Sequence, residues 1–215
     1  MNRIIVYDRR NTSSFKTHKF DVTDENISKM PELFNFEKSA KLITLDFHNV
    51  MDAEDYDDST MPGSVITKLK SVEQKGLTPI IVSWVGSKDE DDNHHLKGFR
   101  DTFVETGLLN GYVLIVWQTT MKNLNQHIKQ KITQVLGAKA HADDKYEHLD
   151  RLENETDKVD FKRYAYGERL VRKIGEPSRN RKNRDFKDFY DRFKKNEIKL
   201  MLVWKDLLED LSSLK

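Results

Sequence analysis

Three unbroken apolar runs in the middle of the chain constrain its fold most: "KLITLDF" (41–47), "TPIIVSWVG" (78–86) and "YVLIVWQ" (112–118). A strand with one wet face alternates apolar and polar residues. A run without alternation is covered on both faces, as in a parallel sheet sandwiched by helices. The stretches between these runs carry helical spacing instead. Val65, Ile66, Leu69 and Val72 mark one; Leu96, Phe99 and Phe103 mark a second; "NLNQHIKQKITQVLG" (123–137) is a third. A short strand and a new helix follow in "AHADDKYEHLDRL" (140–152). Strand–helix alternation of this kind predicts an α/β protein, a Rossmann-like parallel sheet with helices on both faces.

Composition sets the outer limits. The chain has 215 residues, 37% hydrophobic and 34% charged, which suffices for one core and argues against global disorder. A net charge of +1 argues against a uniformly basic nucleic-acid binder. With no cysteine, thiolate metal sites, disulfides and a cysteine nucleophile are excluded. The opening "MNRIIVYDRR" is too short an apolar run for a signal peptide, and no segment approaches the roughly 20 apolar residues of a membrane span. The expected setting is therefore soluble, intracellular and cytoplasmic.

Ligands of open parallel sheets bind beyond the carboxyl ends of the strands. The residues expected at those ends are Asp46 with His48, then Ser83, then residues 118–120, then Asp143 with Asp144. A carboxylate at such an end can attack phosphorus if three helpers are present. One is a divalent cation, and Mg²⁺ suits a site of one or two carboxylates plus phosphate oxygens. Asp46 and one or both of Asp143 and Asp144 could hold it. Another is a hydroxyl to orient the phosphate, for which Ser83 is placed. The last is a cation on the phosphoryl oxygens, Lys131 or a nearby lysine. As a bland alternative, strand-end acids cap helices, and the acidic loops "DAEDYDD" and "KDEDDNHH" are solvated, lacking EF-hand spacing.

This ordered set resembles the haloacid dehalogenase-like (HAD) superfamily of aspartate-nucleophile phosphatases and phosphotransferases. The resemblance rests on "LITLDFHNV", "PIIVS" and "AHADDKYEHL" and covers residues 42–152. It implies that Asp46 is the nucleophile and a metal ligand. It implies that position 48 is the general acid/base, with its backbone carbonyl on the metal. Ser83 orients phosphate, and Asp143 binds metal with Asp144 assisting. The lysine is best matched by Lys131, with Lys129 and Lys122 as alternatives. The departure is His48, where the family has a second aspartate; imidazole can carry the same proton, and slow or substrate-selective turnover is expected. Beside Mg²⁺ its pKa is expected to fall.

No segment leaves room for a large cap, so an uncapped or minimally capped site is expected. It would admit a phosphorylated macromolecule or a nucleotide. The domain reading is an N-terminal extension over 1–40 adding a strand or hairpin, a HAD-like core over 41–160, and a C-terminal part over 161–215. That last part holds a basic segment, then an amphipathic helix through "DFYDRFKKNEIKLMLVWKDLLEDLSSL". Basic residues Arg179, Arg181, Lys182 and Arg184, with Tyr164 and Tyr166 upstream, suggest nucleic-acid contact. The leading expectation is thus a Mg²⁺-dependent phosphomonoester hydrolase. Its competitor is a catalytically weak or silent HAD-like domain that binds nucleic acid or protein.

Overall fold

The computed structural model describes residues 2–11, 13–36, 39–52, 62–85, 100–119, 122–149, 161–167, 170, 184–195 and 197–214. In chain order, β1 (Arg3–Asp8) and β2 (Lys16–Asp21) are followed by the short α1 (Asp24–Lys29), capped by the Thr23 side chain on the Asn26 N–H. Then come β3 (Leu42–Asp46), α2 (Pro62–Glu73), β4 (Thr78–Trp84) and β5 (Val113–Gln118). The chain continues with α3 (Lys122–Val135), β6 (Ala140–Asp143) and β7 (Lys162–Tyr166). It ends with α4 (Arg184–Lys194), β8 (Ile198–Met201) and α5 (Trp204–Leu211). Gly76 and Gly137, just past α2 and α3, take φ of +73° and +66°, the left-handed turn that ends a helix without a Cβ clash.

The eight strands among the described residues form one sheet in the order β2-β1-β5-β4-β3-β6-β7-β8. The α/β expectation holds, but the sheet is mixed. From β5 to β8 every pairing is parallel; β1 runs antiparallel to both β5 and β2. The hairpin thus adds to the β5 edge rather than following a crossover. The polar stretch "FKTHKF" reads as a turn, yet Lys16–Asp21 is a strand. It lies on the outer edge, where a charged, mostly exposed sequence discourages pairing with another chain.

Each face of the sheet has its own core. Ile5, Leu45, Val65, Leu69, Tyr166, Trp204 and Leu207 pack under α2 and α5. Ile4, Val6, Ile80, Ile115, Ile128 and Ile132 pack under α3. A third cluster joins Tyr146, Phe186, Phe189 and Ile198 beneath α4.

The C-terminal part differs from the single amphipathic helix expected. It is helix, strand, helix, with β8 pairing parallel to β7 and Tyr166 opposite Met201. The aromatic residues of "KRYAY" are core, not surface: Tyr164 and Tyr166 are 0% and 1% exposed, so neither presents a ring for base stacking. Arg179, Arg181 and Lys182 lie outside the described residues, and Arg184 opens α4. No helix among the described residues is long and apolar enough to cross a membrane.

Candidate functional site

From β3 the sheet is built outward in both directions, with β4 and β5 on one side and β6 and β7 on the other. That switch falls between the carboxyl ends of β3 and β6, the position where open α/β sheets bind ligands. Because β3 pairs parallel with both β4 and β6, Asp46 and Asp143 end at the same rim.

The structure brings Asp46, Asp143 and Asp144 together, each offering an oxygen within 4.8 Å of the others. All three are buried. Lys129, 1% exposed, reaches up from α3 and lies 2.8 Å from Asp46 Oδ1 and 2.6 Å from Asp143 Oδ2. Lys131, the lysine favoured from the sequence, lies elsewhere: its Nζ is 2.8 Å from Asp24 Oδ1 on the surface. Two positions along a helix turn the side chain by about 200°, so a lysine at 129 facing the rim sends one at 131 away from it. Lys122 opens α3.

Asp143 is the most heavily supported of the acids. It accepts bonds from Lys129, from His141 Nε2 at 3.2 Å, from His148 Nδ1 at 3.1 Å and from the Lys145 N–H at 2.8 Å. Burial alone would raise its pKa; Lys129, His148 and His141 outweigh burial and hold it well below the usual carboxylate range. Asp46, buried beside Lys129 but also beside Asp143, is pushed up, chiefly by burial. Asp144 is pushed up to about 6 by burial and by the charges of Asp143 and Asp46. Three acids against one buried ammonium leave the cluster negative. Hard oxygen donors this close are suited to a cation.

His141 ties the cluster to the sheet. Its Nδ1 lies 2.9 Å from Thr44 Oγ1, which in turn lies 3.2 Å from Thr133 Oγ1 on α3. Nδ1 also lies 3.2 Å from the Thr44 carbonyl oxygen while Nε2 faces the Asp143 carboxylate, and a neutral ring donates from only one of its two nitrogens. Burial lowers the His141 pKa and favours that neutral form.

After Asp46 the chain enters a wide turn, Phe47–Met51, broken at His48 and at Asn49 (φ 58°, ψ 15°). Asparagine is among the few residues that tolerate this left-handed conformation. The bend aims the Asn49 side-chain amide at Asp144 Oδ2, 3.0 Å away. Asp52 closes the turn by accepting from the Asn49 N–H and pairing with His48 Nδ1 at 3.2 Å. That hydrogen bond, more than the opposing burial, raises the His48 pKa. Phe47 anchors the turn edge-on against Phe103, 5.1 Å between centroids. Ser83, at the end of β4, is fully buried, and its Oγ has no hydrogen-bond partner among the described residues.

Sequence reasoning missed Asn49, Asp52, His141 and His148. His141 was legible in principle, since it lies two residues before Asp143 on one strand and so faces the same side. Comparison with protein-family models, with curated proteins and with solved structures finds no match.

Proposed function

We propose that the chain is a metal-dependent phosphatase-like domain of the HAD type, with Asp46 as nucleophile. The observation that carries the reading is Lys129, buried and shared between Asp46 and Asp143 at the switch point of the sheet. A buried lysine held this way positions a carboxylate for attack and offers charge to phosphoryl oxygens. Asp46, Asp144 and the His48 carbonyl are the groups proposed to hold Mg²⁺. Asp143, its oxygens already occupied by Lys129, His141, His148 and the Lys145 N–H, anchors the lysine instead. Bound there, the cation would offset the charge of the acids and of the phosphate.

Asp46 Oδ forms the bond to phosphorus as the ester P–O bond breaks. Protonated His48 gives its proton to the leaving oxygen. Water then attacks the aspartyl phosphate, His48 takes the water's proton, and inorganic phosphate and the free Asp46 carboxylate are released. Asp52 pairs with His48 Nδ1 and so orients the imidazole ring. It also raises the His48 pKa, opposite to the lowering expected beside a cation, which favours the acid form needed first.

The test is turnover of a chromogenic phosphate ester with Mg²⁺, in the native chain and in Asp46→Asn. The expected loss is at least ~10³-fold; an Asp46→Asn variant as active as the native chain rejects the nucleophile assignment. The second reading, a silent binding module, draws on the same closure of charge, because a saturated buried ion cluster is also a purely structural device. Absence of turnover in both proteins favours it.

A further inference from the structure

Resting on the phosphatase reading, we infer that Lys145 forms a second anion site, so that the preferred substrate carries another phosphate close to the one attacked.

The geometry follows from the strand order. Lys145 lies just past the end of β6, and its backbone is pinned there by the N–H bond to Asp143 Oδ1 at 2.8 Å. Its ammonium nevertheless sits 5.7 Å from the centre of the Trp84 ring, at the end of β4. Between β6 and β4 lies β3, which ends in Asp46. Neighbouring strands are about 4.8 Å apart, so the lysine and the indole together bridge the two strand spacings from β6 to β4. The two side chains meet on the carboxyl-end rim, with β3 and its terminal Asp46 between their strands. The Lys145 charge reaches both Asp144 and His48.

Lysines beside a cluster of acids ordinarily pair with one of them. Lys145 Nζ forms no ion pair among the described residues and lies over an indole face, a weaker, less directional partner. The ammonium thus keeps hydrogen-bonding capacity for a ligand. Trp84 Nε1 is shut off from solvent and also has no acceptor among the described residues. An ammonium on this rim that forms no ion pair among the described residues complements a leaving group rich in anionic oxygens. A second phosphate supplies them through a charge-assisted bond.

Two sources share this chemistry, a small bisphosphate and a phosphorylated nucleic-acid end. The experiment measures equilibrium affinity by calorimetry at fixed Mg²⁺ and ionic strength. One arm compares fructose 1,6-bisphosphate with fructose 6-phosphate. The other compares a 5′-phosphorylated dinucleotide with the nucleoside 5′-monophosphate. In at least one arm the native chain is expected to favour the doubly charged ligand about tenfold. Lys145→Met should reduce that preference to within about twofold, and Lys145→Arg, which keeps charge and stacks on indole, should retain it. Preference in one arm alone identifies the source. No preference in the native chain, no binding of any probe, or a preference unchanged in Lys145→Met overturns the site. Failure to hydrolyse any probe counts against the phosphatase reading alone, since the affinities decide the second site independently.

Discussion

Lys129 is the side chain on which the site's electrostatics turn. Removing one partner of a buried ion pair leaves the others uncompensated, so Lys129→Met should cost about 3–5 kcal/mol in urea unfolding. Lys131→Met, which loses only the exposed pair with Asp24, should cost less than about 1 kcal/mol. Equal costs would place the structural lysine wrongly. The sequence did not distinguish the two, for a physical reason. Ile128 and Ile132 form the buried stripe of α3, and Lys129 and Lys131 flank that stripe symmetrically, one on each side. Which flank meets the acids and which meets α1 depends on strand order, a property of no single segment. Asp46 was legible because it ends an unbroken apolar strand, and Asp143 and Asp144 because they form an acidic pair at the end of a short strand between two helical stretches. Asn49 was not, because its role comes from a backbone bend.

Among the elements, α5 shows how an acid can fasten a helix to a sheet. Asp210 accepts from Tyr164 Oη at 2.7 Å and is paired with Lys199 and Lys162, joining α5 to β7 and β8. Burial would raise the Asp210 pKa, but those donors outweigh it and hold it below its usual value. A depressed native pKa stabilises the fold fully above the unfolded value, about 3.9, and the gain fades as pH falls through the native one. Asp210→Asn should therefore cost about 1–2 kcal/mol at neutral pH, and the gap to the native chain should narrow below about pH 4. Urea titrations across pH check this; a gap constant with pH would remove the charge from the explanation. β8 was hidden in the sequence because Ile198 and Met201 are three apart, which mimics helical spacing. Their burial comes from an edge strand packed under α4 and α5.

Across the whole molecule, a cation bound only by the folded state adds stability by mass action, about 2.7 kcal/mol at a hundredfold excess over its Kd. For a chain of this size that corresponds to a melting shift of about 5–10 °C. Mg²⁺ should produce such a shift in the native chain and not in Asp144→Asn; no shift at millimolar Mg²⁺ would leave the acids a structural cluster. The central parallel sheet was legible because its strands are covered on both faces. A strand or hairpin from residues 1–40 was expected, but its antiparallel place beside β5 was not legible, because that partner is remote in the chain. Ile5 stands opposite Val116, and Ile4, Ile5 and Val6 are wholly buried only once β5 is present. The strand Arg3–Asp8 must therefore await a partner that begins about 105 residues further on, and distant pairing of this kind is intrinsically slow and leaves a newborn chain open to clumping meanwhile.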